Sequence, residues 1–404
     1  MLGIYLHIPF CAKVCDYCDF RVLPAHQSLF QEYADLLCDE IRAFDRRHPG
    51  LLATAETLYL GGGTPSILPP ACVTQLFDCL RDTGVRIGEL REISMEFNPE
   101  SVSEETVYNA MACGVNRISL GLQTFDPDLL KTIGRAHTVE KGLSALELLT
   151  KISAEGGLQV SGDLMFDLPG QTVRGFLDDV ERLSDYPLNH VSFYGLTVNP
   201  RTVLGQKVAK GLLKVDEDLY EDMYSGGVSL LESKGFRRYE VSNFAKPGFE
   251  SAHNRNYWDR GEYAGFGPGA HSFLGSRRFY APEIYPRWRD YVRAGADPQD
   301  LTVDALTADD ILSEYIWLSM RQARGLDLCG LQSLGYRLMQ NGYSKWLAKG
   351  YLLREQRAIP GDVPSAIPGD ATCKPRDFLR LAGRGWIFMD DIVTDLMNAS
   401  SNLE

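Results

Sequence analysis

The chain has 404 residues, of which 44% are hydrophobic, so it can bury a large core. Its net charge of −13 argues against a general nucleic-acid-binding surface, because phosphate contacts need clustered Lys and Arg. No apolar run approaches the roughly 20 residues that span a bilayer, and the start MLGIYLHIPF lacks the regions of a secretory leader, so we expect a cytoplasmic protein.

Short β-rich segments alternate with segments of helical periodicity as far as residue 196. Six strands are predicted: Gly3–Ile8, Thr57–Leu60, Glu92–Phe97, Val115–Gly121, Leu158–Phe166 and His190–Leu196. Between the first two, apolar side chains recur every three or four residues, as on one face of a helix: Phe30, Tyr33, Leu37, Ile41 and Phe44. Successive βα units predict an α/β fold, a parallel sheet that closes into a partial (βα)6 TIM-like barrel.

The βα rhythm fades after about residue 197. We predict a barrel core over residues 1–200, an extension of that core over 201–300, and a smaller, mainly α C-terminal domain over 301–404, for which a winged-helix-like arrangement is one option. Ser313–Met320 reads as an amphipathic helix, and Tyr351–Arg357 with Phe378–Leu381 as a small β-wing. A repeated Ile-Pro-Gly-Asp within residues 358–370 suits an exposed loop.

Three cysteines follow the first predicted strand with the spacing Cys11-x3-Cys15-x2-Cys18. Three thiolates on one loop can hold three corners of a 4Fe–4S cluster and leave the fourth iron open. The alternatives are a zinc site and unrelated thiols, but a closed zinc site needs four ligands and no matching second pair appears. The other cysteines read as small buried hydrophobes without a role: Cys38, Cys72, Cys79, Cys113, Cys329 and Cys373.

This cysteine loop, joined to the Gly61-Gly62-Gly63-Thr64-Pro65 loop after the second strand, resembles the radical S-adenosylmethionine (SAM) superfamily. The resemblance implies a 4Fe–4S cluster on the three cysteines, with the methionine moiety of SAM on the open iron and a 5′-deoxyadenosyl radical as the product of cleavage. A triple glycine alone would indicate only a turn. The hard chemistry would belong to the cofactor.

The resemblance also implies which side chains contact SAM. They are Tyr5, Gly62, Gly63, Thr64, Glu96, Gln123, Arg135 and Asp163. Arg135 suits the methionine carboxylate, and the carboxamide and carboxylates suit the ribose hydroxyls. The glycine loop and Gln123 follow predicted strands, Glu96 closes the third strand and Asp163 lies in the fifth, and the functional loops of such barrels gather at the carboxyl ends of the strands.

Longer segments resemble the oxygen-independent coproporphyrinogen III oxidase group, among them the segment from Asp163 to Thr172. Two features favour the HemW-type haem chaperones of that group. Phe20 stands where the oxidases carry a further cysteine, and only ten residues precede Cys11, which leaves little for the oxidases' N-terminal arm.

A third feature is His253-Asn254-Arg255-Asn256-Tyr257-Trp258, which is similar to the HNxxYW motif associated with haem in HemW proteins. Imidazole is a natural axial ligand of haem iron. We therefore predict His253 as a haem ligand, with His271 as a weaker candidate. The alternative is a structural turn with a buried aromatic pair.

The leading hypothesis is a haem chaperone that binds haem and delivers it to client haemoproteins, among them membrane-bound respiratory enzymes. Its cofactors would be the 4Fe–4S cluster, SAM and haem. We expect no nucleic acid and no transmembrane segment, and a homodimer stays open. The alternatives are a radical SAM enzyme, either a coproporphyrinogen oxidase or a methyltransferase, and a zinc-stabilised interaction module.

Overall fold

The computed structural model describes residues 1–357 and 376–402. They form two compact units: residues 1–238, 242–257 and 261–305 make the first, and residues 239–241, 258–260 and those from 306 onward make the second. The 201–300 segment predicted as a core extension falls mostly in the first unit. Cys373 and the repeated Ile-Pro-Gly-Asp segment lie outside the described residues.

The first unit is built on a parallel sheet. Its central strands are β1 (Leu2–Ile8), β4 (Ala55–Gly62), β5 (Glu92–Phe97), β6 (Arg117–Gln123), β7 (Gln159–Phe166) and β8 (His190–Gly195), and a short pair, β2 (Phe10–Cys11) and β3 (Leu23–Pro24), lies apart from them. Each central strand pairs in parallel with the next. The predicted partial barrel is therefore confirmed, with strand ends within about two residues of the predicted ones.

The sheet continues beyond both edges of the predicted core. Beyond β8 lie β10 (Asn243–Ala245) and β9 (Arg237–Glu240), and beyond β1 lie β11 (Glu262–Phe266), β12 (His271–Leu274), β13 (Arg277–Tyr280) and β14 (Thr302–Asp304). β11 pairs in parallel with β1, whereas β10 pairs antiparallel with β8. The sequence analysis did not predict β11–β14.

Helices connect the strands of this sheet and pack around it. They are α1 (Gln27–Arg47), α2 (Pro70–Asp82), α3 (Glu104–Cys113), α4 (Pro127–Thr132), α5 (Val139–Glu155), α6 (Val173–Ser184), α7 (Val203–Ala209), α8 (Tyr220–Ser233), α9 (Ala252–Trp258) and α10 (Tyr285–Arg293). The apolar stripe of α1 is buried as predicted. Gly162 lets α6 approach β7, because a Cβ there would lie 2.7 Å from Leu183.

Alternation along the strands separates the core from the barrel lumen. In β1, Ile4, Leu6 and Ile8 are fully buried. The residues between them, such as Tyr5, point to the opposite face of the sheet. Because the strands are parallel, their carboxyl ends share one edge of the barrel and their amino ends share the other.

The described part of the second unit consists largely of helices with a small sheet. Its elements are α11 (Ala308–Met320), β15 (Leu326–Asp327), α12 (Leu328–Ser333), β16 (Tyr336–Leu338), α13 (Ser344–Ala348), β17 (Leu352–Arg357), β18 (Arg376–Leu381), α14 (Met389–Asn398) and β19 (Ser400–Asn402). The sheet order is β15-β18-β17. Among the described residues, no helix is long and apolar enough to cross a membrane.

Candidate functional site

The cysteine loop leaves the barrel at the carboxyl end of β1. Cys11 is buried at the end of β2, and Cys15 and Cys18 are half-buried. The Cys18 amide donates to the Cys15 carbonyl (3.2 Å) and closes a turn, while the Asp16 amide donates to the Ile133 carbonyl (3.0 Å) and fixes the loop against the end of α4. The backbone therefore holds the three thiols on one ordered loop.

Two side chains donate hydrogen bonds to these sulfurs. Thr64 Oγ1 lies 3.6 Å from Cys11 Sγ, and Arg135 Nη1 lies 3.5 Å from Cys15 Sγ. Burial raises the pKa of Cys11 to about 11, and the Thr64 hydrogen bond and the Arg135 charge partly offset that rise. Donors at the sulfurs are one of the means by which proteins tune cluster potentials. Iron binding would release protons from these thiols.

The Gly61–Thr64 loop packs directly on the cysteine loop. The Gly63 amide donates to the Ile8 carbonyl and the Thr64 amide to the Phe10 carbonyl, both at 2.7 Å. Gly62 has φ 106°, and a Cβ on it would lie 2.6 Å from the His7 ring. Only glycine fits there without strain. The glycines thus keep this backbone close to the cluster loop.

Arg135 links the cysteine loop to the strand ends. Besides Cys15, its guanidinium donates to Asn98 Oδ1 (2.7 Å) and to the Gly121 carbonyl (2.6 Å). Its Nε is buried and has no partner within the described residues. A fixed guanidinium is suited to hold a carboxylate, because its donors form a rigid fork.

Two half-buried carboxyl groups, of Glu96 and Asp163, line the lumen. Glu96 accepts hydrogen bonds from Tyr59 Oη (2.8 Å) and the Gly62 amide (3.2 Å). Burial raises its pKa to about 7, an effect that the negative charge of Asp163 reinforces. Burial likewise raises the pKa of Asp163 to about 6, although serine hydroxyls that donate to it, including Ser119 at 2.7 Å, work in the opposite direction.

One cavity joins these groups. Its lining includes all three cysteines and every predicted SAM contact except Tyr5: Gly62, Gly63, Thr64, Glu96, Gln123, Arg135 and Asp163. Tyr5, in the middle of β1, is half-buried, with its hydroxyl 3.0 Å from His7 Nδ1. Phe20 also lines the cavity and is 63% exposed, so it forms part of the rim.

The donor set fits a cluster with SAM. Three thiols, two hydrogen-bond donors to sulfur, an anchored guanidinium with a free Nε and half-buried carboxyls line the same space. Within residues 1–357 and 376–402, no group of three His, Cys, Asp or Glu is arranged to hold a metal ion. The cysteines of a cluster bind different iron atoms and need not converge on one point.

Two lining residues were missed by the sequence reasoning. Asn98 supports Arg135 and also donates to Thr64 Oγ1 (2.8 Å), and Tyr194 Oη donates to Gln123 Oε1 (3.0 Å). Asn98 directly follows β5 and Tyr194 lies near the end of β8. The rule that functional groups gather at strand carboxyl ends would have selected both.

The lumen beneath this cavity is a polar chamber of about 240 Å³. Arg117, His190 and Asn254 line it. Four serines of neighbouring strands complete the polar wall: Ser94, Ser119, Ser161 and Ser192. Glu96 and Asp163 line both spaces. The chamber suits water or a small polar group and not a porphyrin.

His253 lies at the opposite end of the barrel from the cysteines. It is 1% exposed and packs beside Gly3 and Thr57, near the start of β1 and β4. Thr57, beside His253, and Gly62, beside the cysteine loop, are five positions apart on β4, so the two sites are separated by about 16 Å along the strand. Its Nδ1 hydrogen-bonds to Thr57 Oγ1 (2.8 Å), its Nε2 to Tyr257 Oη (2.9 Å), and its ring stacks on Tyr59.

This arrangement favours the structural reading of the HNRNYW motif. Glu92 at the start of β5 accepts hydrogen bonds from Ser251 Oγ (2.8 Å) and the Ala252 amide (2.6 Å), and so fixes the beginning of α9. Both ring nitrogens of His253 are hydrogen-bonded, so neither can bind haem iron in this conformation. Haem ligation by His253 stays a prediction that the structure does not support. His271 is exposed on β12 and stacks on Tyr280.

Comparisons with known proteins agree with this geometry. A model of the radical SAM superfamily matches residues 5–183. A solved structure of coproporphyrinogen III oxidase (HemN) from Escherichia coli superposes with a TM-score of 0.77 at 21% identity and covers 98% of this chain and 89% of its own. The fold and the cysteine site thus define a radical SAM protein.

Curated relatives narrow the assignment. The haem chaperone HemW of Lactococcus lactis is 36% identical over 324 residues, 80% of this chain and 82% of its own. HemW of Bacillus subtilis is 34% identical over 329 residues, 81% and 85% of the two chains, and HemW of Mycobacterium tuberculosis is 35% identical over 338 residues, 81% and 84%. This chain belongs to the HemW family.

Proposed function

We propose that this chain is a haem chaperone, which binds haem and delivers it to client haemoproteins. The observation that carries the proposal is the similarity to HemW proteins along four fifths of the chain, and the radical SAM match over residues 5–183 includes the cysteine loop. Phe20, in the place of the oxidases' further cysteine, is consistent with it. We propose haem as cargo and the cluster with SAM as resident cofactors.

The lining of the cavity supports the cofactor assignments that we propose. Cys11, Cys15 and Cys18 would hold the cluster, which supplies one-electron chemistry to SAM at its open iron. Arg135 is placed to hold the methionine carboxylate through its free Nε, while Glu96 and Asp163 are placed to accept hydrogen bonds from ribose hydroxyls. Gly62, Gly63, Thr64 and Gln123 complete the lining.

Anaerobic haem titration of the reconstituted protein tests the proposal. We expect a stoichiometric Soret band on addition of haem, and no decarboxylated or methylated product when coproporphyrinogen III, SAM and a reductant are supplied. A porphyrinogen-dependent yield of 5′-deoxyadenosine together with such a product, and no haem binding, would replace the chaperone with a radical enzyme. Stoichiometric zinc without iron after anaerobic purification would contradict the cluster.

A further inference from the structure

A second cavity opens beside the cysteine loop, where β7 and β8 end and the chain continues through α7 toward α8. Its volume is about 790 Å³, within the range of small-molecule sites. Aliphatic side chains supply much of its wall: Leu196, Val198, Val208, Leu213 and Val215. The size and the apolar wall suit a large, flat, apolar ligand.

The wall is incompletely buried. Four of its aliphatic side chains pack against a buried core cluster and yet are only half-buried: Val198, Val208, Leu213 and Val215. Such contiguous apolar surface is costly in water and commonly marks a binding site. The same cluster is contacted by Tyr17 of the cysteine loop, so the cavity and the cluster site share a supporting layer.

Charged side chains give the cavity a polar edge. Lys214 lines it and is exposed, and exposed Lys210 lies four residues earlier. These ammonium groups suit the carboxylates of an amphipathic ligand. Asp167 and Glu217 also line the cavity, and burial raises the pKa of Asp167 to about 6, with the charge of Glu217 adding to the shift. Asp167 therefore stays mostly ionised at neutral pH, and the attraction for a ligand carboxylate falls to the lysines.

The cavity wall is tied to the loop that carries the cysteines. The Leu204 amide donates to the Asp16 carbonyl (2.7 Å), and Lys207 Nζ lies 2.6 Å from Asp16 Oδ2. Asn199 Nδ2 donates to Asp19 Oδ2 (3.1 Å). Asp16 and Asp19 flank Cys18 and its turn, so displacement of α7 by a ligand would act directly on the cluster loop.

We infer that this cavity is the haem site, with the macrocycle against the aliphatic wall and a propionate toward Lys214. The inference rests on the proposed function and gives it a location. The chamber in the lumen is smaller and polar, and His253 has neither ring nitrogen available. Binding here would also place the cargo next to the proposed cluster site.

Haem titration of matched variants tests the location in the full, reconstituted chain. Leu213→Glu puts a carboxylate into the apolar wall, and exposed Lys214→Glu reverses the charge at the edge without disturbing the core. Leu353→Glu is the control, because Leu353 is another exposed leucine, on β17 of the second unit. We expect about a tenfold or greater loss of haem affinity for Leu213→Glu, a several-fold loss for Lys214→Glu and no change for the control.

The outcomes separate the site from the function. If both cavity variants bind haem with wild-type affinity, the location is wrong while the chaperone proposal stands. The same holds if only His253→Gln loses affinity for haem. Absence of haem binding by the wild-type protein would overturn the proposed function itself, and the location with it. Unchanged cluster absorbance and circular dichroism in Lys214→Glu exclude misfolding as the cause of a loss.

Discussion

Replacement of His253 by Ala distinguishes a framework histidine from an iron ligand. The side chain is buried and joins Thr57 to Tyr257 through its two ring nitrogens. Its removal leaves two buried hydroxyl groups without that partner, at about 1–3 kcal/mol each, and leaves a cavity under Tyr59. We therefore expect a loss of about 3–5 kcal/mol in the free energy of unfolding of the cluster-free protein.

Urea unfolding followed by circular dichroism measures this loss. His271→Ala is the matched control, because this exposed histidine stacks on Tyr280 at the start of β12 and its replacement should cost well under about 1 kcal/mol. His253→Gln, which keeps a donor and an acceptor, should recover part of the stability. Near-wild-type stability of His253→Ala with a lost or shifted Soret band would refute the framework reading and support ligation.

Other predictions concern the cofactor cavity. Arg135→Lys should raise the dissociation constant for SAM about tenfold by calorimetry, because an ammonium group cannot reproduce the anchored fork, and an unchanged constant would contradict that role. The pKa of Glu96 is raised to about 7 from 4.5, so the folded state binds its proton more tightly and wild-type stability falls as pH rises through this interval. Cluster-free Glu96→Gln should therefore gain about 2 kcal/mol relative to wild type between pH 5 and pH 8, and a difference independent of pH would disprove the shift. Gly62→Ala should destabilise by several kcal/mol, roughly twice as much as Gly156→Ala, because both glycines have φ near 100° but only at Gly62 would a Cβ strike another side chain, that of His7. Equal thermal shifts for the two would show that the contact is unimportant.

The six parallel strands were predictable because each is a short apolar run between segments of helical period. Glu92–Phe97 was placed with both ends correct. The strands from β11 to β14 were missed because they lie in a region rich in glycine and aromatic residues, where no period of two stands out. They exist because β1 still has a free edge, which β11 fills by parallel pairing.

The cofactor cavity was also largely predictable, because a parallel barrel brings the residues after each strand together. Cys11, Glu96, Arg135 and Asp163 come from four separate parts of the chain and yet line one space. His253 was not predictable in the same way. Its surroundings depend on Glu92, which caps α9 from a distant strand, and spacing within HNRNYW carries no information about that contact.

The haem pocket proposed beside α7 had no sequence signature. Its wall comes from valines and leucines that resemble ordinary core residues, and Lys214 resembles a solvated surface lysine. Only their arrangement around a cavity, and the contacts of α7 with Asp16, distinguish them. The proposed haem site therefore depends on how these residues pack together, and no sequence motif marks it.

Transfer of haem to a client tests the central claim most directly. Haem-loaded, cluster-reconstituted protein is mixed anaerobically with a b-type apocytochrome in the presence of SAM, and the Soret band of the client is followed. We predict that the client acquires haem, and that replacing Cys11, Cys15 and Cys18 by Ser alters the rate of transfer. A client that stays empty, while the protein supplied separately with coproporphyrinogen III, SAM and a reductant forms a decarboxylated product and 5′-deoxyadenosine, would contradict the assignment of this chain as a haem chaperone.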